Sequence, residues 1–286
     1  MTHVVLSDQT EAANGFATPL PRNTIVLYVA APAPTDLLGS GDWLRTVFVH
    51  EFAHIVHLDR AGGWARVARA VSGRAPWTFP NLLLPTWQIE GLATWAESRV
   101  PGSDAHGRLH AGDFLAITRE AARAGAFAPI DRVGGGLTDW PGGLAPYAYG
   151  AAFHAWLADS RGADTLDALA EATARSLPWL GTRAFDRVYG QSIETLWREY
   201  ASAAVTDARA AGAPAPQPAR RLTTDGFQAS APRYLPRACA DCADAVVYTR
   251  RTRHDRPGLY VVQLDTLETR RLTTRYPGGT TAVAAN

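Results

Sequence analysis

The sequence predicts a mainly helical α+β domain with a small N-terminal sheet, followed by an all-β segment. Three observations support this fold class. A β-branched and aromatic run occupies residues 24–30, apolar residues then recur at helical spacing to about residue 210, and strand-like runs follow a Pro/Ala-rich stretch. Because the composition changes at that stretch, we expect a domain at 1–205, a linker at 206–219 and a second unit at 220–286.

Local patterns justify the elements of the first domain in order. The run TIVLYVA (24–30) follows the turn-rich NGFATPLPRN and predicts a strand. Asp42 can cap a helix that begins at Trp43 and keeps its apolar residues at helical spacing to Leu58, before the Gly62-Gly63 pair. The same periodicity predicts further helices at about 64–71, 86–99, 113–124, 148–160, 164–175, 182–189 and 192–210.

The second unit carries a short internal repeat. Its strand-like runs are VVYTR, LYVVQL and TRRLTT, and the pentapeptide RRLTT occurs at 220–224 and again at 270–274. A period of this length lies in the range of propeller and solenoid repeats. A closed propeller needs several blades, so two copies predict about one blade. We expect a chain cut from a longer one at both ends.

Composition excludes several classes of protein. Hydrophobic residues make up 47% and charged residues 19%, which is typical of a folded globular chain rather than a disordered one. The basic residues are all arginine and nearly cancel the acidic ones, leaving a formal charge of +1, so no nucleic-acid partner is expected. No apolar run is long enough to be a transmembrane segment, and the N-terminus lacks the pattern of a signal peptide.

The two cysteines, Cys239 and Cys242, form a CADC pair. A closed structural zinc site normally needs four ligands, and the sequence has no second CxxC or CxxH pair. We therefore expect a local disulfide or unreactive thiols. A disulfide would agree with an address outside the cytoplasm.

The strongest functional signal is the segment from His50 to His54, HEFAH, which matches HExxH. On a helix, two histidines four residues apart lie on the same face and can bind one metal ion, and Glu51 between them can reach water on that ion. A helix with ordinary surface or core histidines is the alternative.

A catalytic zinc ion takes three protein ligands and keeps a fourth position open. The segment PTWQIEGLATWAE (85–97) predicts a helix that aims Glu90 along the same face as Glu97. Two histidines and a glutamate are a standard ligand set of zinc peptidases. We therefore predict one Zn²⁺ bound by His50, His54 and Glu90, with Glu51 as general base. A solvated helix carboxylate is the alternative for Glu90.

HEFAHIVHLDR followed by WQIEGLATWAES resembles the gluzincin metallopeptidases, which pair HExxH with a downstream glutamate on a second helix. The aminopeptidases of that clan carry a similar W-x-x-E-G-x-A-x-x-x-E segment, although Glu90 lies farther from His54 than is usual in them. The helices AAFHAWLADSRG and AFDRVYGQSIETLWREYASA resemble those of bacterial gluzincin domains fused to TolB-like β-propellers. The resemblance implies a zincin-like domain followed by a partial propeller, in a periplasmic, secreted or cell-surface protein.

The segment PYAYG (146–150) is similar to the Pro-Tyr-x-x-Gly element of the same aminopeptidases, whose tyrosine hydroxyl stabilises the oxyanion. This likeness implies a catalytic role for Tyr147. Tyr149 is an alternative because it lies two residues away, and His154 is another because other gluzincins use an imidazole donor. A plain core role is the remaining alternative for all three.

Three further residues are candidates to support the ligands. His57 lies on the same helix face as His50 and His54, but the metzincin motif HExxHxxGxxH fails, because His57 replaces its glycine and Arg60 its last histidine. We expect His57 to be packed or to contact a ligand. Glu97 and Asp59 are candidates to orient ligand imidazoles, and surface positions are the alternative for both.

These features predict hydrolysis of a peptide or protein substrate. The sequence has no GxMEN element, whose glutamate would hold a free amino terminus, so an endopeptidase is favoured. Strand 24–30 could pair with an extended substrate if it forms a sheet edge. One alternative is an inactive peptidase-like scaffold that binds a protein partner through its propeller. Another is a zinc hydrolase that acts on something other than peptides.

Overall fold

A computed structural model describes residues 1–10, 12–30, 32, 42–100, 107–134, 140–212, 220–224, 228–236, 243–252 and 256–274. These residues fall into two compact units, one that ends at Gly212 and one that contains the described residues from Arg220 onward. The described part of the chain is a mixed α/β protein, with nine α-helices, a three-stranded sheet and a four-stranded antiparallel sheet.

The N-terminal sheet contains β1 (His3–Ser7), β2 (Ala13–Thr18) and β3 (Thr24–Val29). The strand predicted at 24–30 is confirmed, but part of the segment read as turn-rich is β2. The order is β1-β3-β2, with β1 parallel and β2 antiparallel to β3. β3 is therefore the central strand, so the expectation that it could be a substrate-pairing edge is wrong. β2 is the edge strand beside the first helix.

Helix α1 (Trp43–Leu58) packs against this sheet and begins where the sequence predicts. The Asp42 side chain accepts a hydrogen bond from the Arg45 N–H at 3.1 Å, which satisfies one of the free donors of the first turn. Val47 and Ile55 on α1 pack against Ile25 and Leu27 of β3 in one buried cluster. This contact holds one face of α1 next to the edge strand β2.

The remaining helices of the first unit confirm the helical periodicity. All seven further predicted helices are present, with ends within a few residues of the prediction, and a short helix was not predicted. The helices are α2 (Gly63–Ser72), α3 (Thr86–Glu97), α4 (Gly112–Arg123), the short α5 (Ile130–Val133), α6 (Ala145–Arg161), α7 (Asp164–Ala174), α8 (Ala184–Tyr189) and α9 (Ile193–Ala210).

Helices α3 and α6 cross in close contact because each has a glycine at the crossing. A Cβ atom on Gly91 would overlap the backbone of Gly150, and a Cβ on Gly150 would overlap the carbonyl of Trp87. The Trp87 side chain lies in a large aromatic cluster with Phe153 and Trp197. The glycines therefore fix the spacing between the helix that carries Glu90 and the helix that carries Tyr147.

We expect Gly91→Ala to lower the free energy of unfolding of the first unit by about 1–3 kcal/mol, because the added methyl group forces two backbones apart. Gly112→Ala is the matched control, because a Cβ added to Gly112 would have no other atom within 4 Å, and Gly112 lies in the first turn of α4. All nine tryptophans precede residue 198, so urea unfolding followed by tryptophan fluorescence reports on this unit. Equal stability of the two variants would contradict the close crossing.

The second unit contains one antiparallel sheet in the order β4-β5-β6-β7. Three of its strands, β5 (Ala245–Arg251), β6 (Gly258–Gln263) and β7 (Thr269–Thr273), confirm the predicted strands, whereas β4 (Gln228–Leu235) was not predicted. The RRLTT copy at 270–274 overlaps β7, but the copy at 220–224 lies outside any strand, so the two copies differ in structure. Within the described residues this sheet closes into neither a barrel nor a propeller.

Several predictions fall outside the described residues. Cys239 and Cys242 lie there, as do residues 213–219 of the expected linker and the chain after residue 274. Residues 206–210, the start of the expected linker, belong to α9. Among the helices that the structure describes, none is both long and apolar enough to cross a membrane.

Candidate metal centre

His50 and His54 lie one turn apart on the buried face of α1. Their Nε2 atoms are 3.0 Å apart, and both side chains are almost fully buried. The i, i+4 spacing places the two rings on one side of the helix, as the sequence predicts for a pair that shares an ion. Two imidazole nitrogens at this distance need a bridging proton or a cation between them.

Glu90 on α3 brings a third ligand atom to the same point. Its Oε2 atom lies 3.2 Å from His50 Nε2 and 3.3 Å from His54 Nε2. Burial by itself raises the pKa of Glu90, but the two facing imidazoles outweigh it and hold the pKa well below its usual range. The carboxylate is therefore ionised at neutral pH. His50, His54 and Glu90 form a group that could hold a metal ion.

The distances among His50 Nε2, His54 Nε2 and Glu90 Oε2 test whether a metal ion fits between them. A tetrahedral zinc ion with bonds of about 2.0–2.1 Å keeps its ligand atoms about 3.3–3.4 Å apart. The observed separations of 3.0, 3.2 and 3.3 Å are close to that value without any rearrangement of the side chains. The donor set of two imidazoles and one carboxylate is also one that zinc accepts. The three residues therefore fit a tetrahedral metal ion.

Behind His50, Glu97 and Arg108 form a buried ion pair. His50 Nδ1 lies 2.9 Å from Glu97 Oε2 and 2.7 Å from Arg108 Nη2. Glu97 is only 2% exposed. Burial raises its pKa, but Arg108 and His50 outweigh burial and lower the pKa to about 2. Glu97 therefore contacts a ligand imidazole as a carboxylate.

Glu51 follows His50 on α1 and lines the same pocket as the three ligand atoms. Burial raises the pKa of its carboxyl group to about 7, an effect that His54 partly opposes. A general base works best when its pKa lies near the operating pH, so this value suits proton transfer at neutral pH. The backbone of β2 approaches closely here, because a Cβ on Gly15 would lie 3.1 Å from Glu51 Cγ.

Tyr147 lies near the start of α6, on a different helix from the three ligands, and lines the same pocket. Its ring stacks near His50 with centroids 6.2 Å apart, and the Arg108 guanidinium lies 5.0 Å from its ring centre. Burial and the Glu90 carboxylate raise the pKa of the Tyr147 hydroxyl to about 12. The hydroxyl therefore keeps its proton at neutral pH and can donate a hydrogen bond.

The pocket that contains these groups has a volume of about 200 Å³. One wall is the edge strand β2, and the other walls come from α1, α3, α6 and the short turn at Arg108. Its lining residues are Asn14, Gly15, Phe16, Ala17, Val47, His50, Glu51, His54, Leu58, Ile89, Glu90, Arg108 and Tyr147. Among the described strands β2 pairs only with β3, so an extended ligand in this pocket would lie beside an edge of the sheet.

The structure does not bring every candidate to the cluster. Asp59 instead accepts hydrogen bonds from Asn23 at 2.7 Å and Arg69 at 2.9 Å, so it ties the end of α1 to neighbouring elements. His57 follows His54 by one turn of α1 but does not line the metal pocket; it lines a separate apolar pocket, and burial lowers its pKa to about 3.

The two alternatives to Tyr147 are core residues. Tyr149 is 1% exposed and packs edge-on against Phe127 with ring centroids 5.0 Å apart. His154 is fully buried, and its Nδ1 donates to the Gly150 carbonyl at 2.7 Å. Neither residue is among those that line the metal pocket. Tyr147 is the member of this group that faces the cluster.

The sequence does not predict two parts of the pocket, Arg108 and the strand β2. Arg108 lies in a short 3₁₀ turn, Arg108–His110, which has no periodic pattern and no motif around it. The other part is β2, where Asn14-Gly15 and the two following prolines predict turns but the structure has a strand. The sequence ANGFAT has no apolar alternation to mark a strand, because its large apolar residue, Phe16, is exposed.

No protein-family model matches this chain, and no curated protein gives a significant match. The resemblance to gluzincins therefore stays a prediction that depends on the motif residues. The separations among His50, His54 and Glu90 are a property of the structure itself.

Proposed function

We propose that this chain is a zinc-dependent peptidase of the gluzincin type. The observation that carries the proposal is the convergence of His50, His54 and Glu90 on one point, beside the buried carboxyl of Glu51 and in a pocket lined by the edge strand β2. His50, His54 and Glu90 would hold one Zn²⁺. When bound, zinc lowers the pKa of a water molecule toward about 7 and polarises the substrate carbonyl.

Glu51 acts as the general base in this proposal. It accepts a proton from the attacking water, whose oxygen bonds to the peptide carbonyl carbon, and it passes that proton to the amide nitrogen as the C–N bond breaks. The products are a carboxylic acid and an amine, so no further reactant is needed. Burial raises the pKa of Glu51, which favours its acceptance of a proton.

Tyr147 donates a hydrogen bond to the carbonyl oxygen as negative charge develops on it. Its raised pKa supports this role, because the hydroxyl remains protonated at neutral pH. The hydroxyl and the Glu51 carboxyl come from different helices, α6 and α1, and both line the pocket. A peptide group between them would meet a proton donor and a proton acceptor.

The edge strand β2 supports a peptide as the substrate. The Gly15 N–H donates to its neighbour Asn14 Oδ1 at 2.8 Å, and among the described strands β2 pairs only with β3, so its other side is an edge of the sheet. An extended peptide could pair with that edge by main-chain hydrogen bonds. Among the described lining residues, Glu51 and Glu90 are the only carboxylates, and both have assigned roles. With none left to hold a free amino terminus, we infer an endopeptidase.

The second unit supports a propeller blade in this proposal. A blade is a four-stranded antiparallel sheet, which is the order β4-β5-β6-β7. Two separate apolar clusters lie on this sheet, one around Val247 and Val261 and one around Tyr248 and Tyr260. A blade buries both of its faces against its neighbours, so apolar residues on both faces agree with this assignment.

The test uses the full chain and an unstructured protein such as casein. We expect hydrolysis that stops when a chelator removes zinc and returns when about one equivalent of zinc is restored. Zinc binding without cleavage of casein or a peptide library would favour a zinc hydrolase with another substrate. A folded chain that binds no zinc would contradict the proposal and favour an inactive scaffold.

A further inference from the structure

Arg108 holds the carboxylate of Glu97 at three points. Its backbone N–H donates to Glu97 Oε1 at 3.0 Å, its Nε donates to the same oxygen at 2.9 Å, and its Nη2 donates to Oε2 at 2.8 Å. Such a two-pronged arginine contact fixes the plane of a carboxylate as well as its charge. The oxygen Oε2 is the one that contacts His50 Nδ1.

The chain around Arg108 is fastened to the end of α3, where Glu97 lies. A Cβ on Gly107 would overlap Ser98, so only glycine permits this close approach. The Leu109 N–H donates to Ser98 Oγ at 3.3 Å, one residue beyond the Arg108 contacts. Gly107, Arg108 and Leu109 therefore all contact Glu97 or Ser98 at the end of α3. Arg108 is positioned by the backbone, and its guanidinium is mostly buried.

The arginine contacts direct Glu97 Oε2 toward the His50 ring as a hydrogen-bond acceptor. A carboxylate oxygen accepts, so His50 Nδ1 is the donor in this contact. The proton then lies on Nδ1, and the lone pair of Nε2 faces His54 and Glu90.

Arg108 Nη2 also lies 2.7 Å from His50 Nδ1. Only one of Arg108 Nη2 and Glu97 Oε2 can be the hydrogen-bond partner of Nδ1 at a time, because one donates and the other accepts. An arginine can only donate, so this contact is a hydrogen bond only when Nδ1 has no proton. A ring that binds a metal through Nε2 carries its proton on Nδ1, and then Glu97 is its partner. In that state Arg108 acts on His50 through Glu97.

We infer that Arg108 is a positioning residue for the metal: its three contacts hold Glu97 in the orientation in which Oε2 meets His50 Nδ1, so that His50 offers its Nε2 lone pair to the ion. The inference rests on the proposed zinc site. It concerns one ligand only, because His54 Nδ1 has no hydrogen-bond partner among the described residues. The orientation of the first ligand thus depends on a residue 58 positions away in the chain.

The experiment measures zinc affinity of the full chain by competition with a chelator. We expect Arg108→Ala to bind zinc about 10–100-fold more weakly, the usual cost of removing a group that orients a ligand. Arg108→Lys should lose less, since lysine keeps the charge but cannot make the two-pronged contact. Selective ¹⁵N labelling of histidine should show the Nδ1–H form of His50 in the zinc-bound wild type and a mixture in Arg108→Ala.

Arg69→Ala is the matched control. Arg69 pairs with Asp59 at 2.9 Å and is, like Arg108, mostly buried, but it touches no residue of the metal cluster. We expect it to lower the free energy of unfolding and leave the zinc affinity unchanged. If Arg108→Ala does not fold, Arg108→Lys decides the question, with measurably weaker zinc binding in support and wild-type affinity against.

The outcomes separate this inference from the proposed function. A wild-type chain that binds zinc, together with an Arg108→Ala variant that binds it equally well or more tightly, overturns the inference alone. A wild-type chain that binds no zinc overturns both. A variant that loses only stability, with unchanged zinc affinity and an unchanged His50 spectrum, assigns Arg108 a purely structural role and also overturns the inference.

Discussion

Glu51→Gln is expected to keep one zinc ion per chain while peptide hydrolysis falls by about 10⁴-fold or more. General base catalysis alone supplies about 10²–10⁴-fold, and the same carboxyl must also protonate the leaving amine, so the loss should reach the upper end. Glutamine has nearly the same size, so the close packing of Glu51 against Gly15 is retained. Because Glu51 is not one of the three ligands, zinc should stay bound.

Metal analysis and hydrolysis on the same preparation decide this prediction. Glu120→Gln is the matched control, because Glu120 is also a helix residue but is exposed and pairs with Arg123 on α4. It should hydrolyse peptides at the wild-type rate. Near-normal hydrolysis by Glu51→Gln with zinc retained would remove Glu51 from the mechanism.

Tyr147→Phe should lower kcat by about 10²–10³-fold, the usual cost of removing one oxyanion donor. KM and the zinc content should change little, because the hydroxyl acts mainly on the charge that develops in the transition state. The ring remains in place, so its stacking near His50 and its contact with Arg108 are preserved. Steady-state kinetics with a fluorogenic peptide gives kcat and KM separately.

Tyr149→Phe is the control for this prediction, since it removes the same atom two residues away. Tyr149 is buried and its hydroxyl bonds to the backbone of Ala128, so the change should cost about 1 kcal/mol of stability and leave kcat almost unchanged. The reverse pattern, with a large loss in Tyr149→Phe and none in Tyr147→Phe, would mean that the Pro-Tyr-x-x-Gly element has been aligned two residues out of place.

The helices were predictable because their signals are local. Asp42 marks the start of α1, and the apolar spacing that stops at Leu58 marks its end. The Gly62-Gly63 pair lies at the start of α2. The two histidines of HExxH were predictable for the same reason, since any helix places residues four apart on one face. Their convergence with Glu90 depends on how α1 and α3 pack, which no local pattern encodes. Only the resemblance to gluzincins, which pair HExxH with a downstream glutamate, suggested it.

Other features depended on contacts between distant segments. The position of β3 at the centre of the sheet depends on β1 and β2, and no local pattern distinguishes a central strand from an edge strand here. Asp59 is a candidate partner for the ligands in the sequence because it directly follows α1. In the structure it accepts hydrogen bonds from Asn23 and Arg69 instead. Arg108 could not be found, because a turn with no periodicity brings it to Glu97.

The zinc content of the full chain tests the central claim most directly. The wild-type protein, purified without chelator and dialysed, should contain about one zinc ion, and X-ray absorption at the zinc edge should show two imidazole nitrogens and carboxylate oxygen at about 2.0–2.2 Å. His54→Ala should lose most of that zinc, because it removes one of three protein ligands. A folded wild-type chain without zinc, or a His54→Ala variant that keeps a full equivalent, would contradict the account.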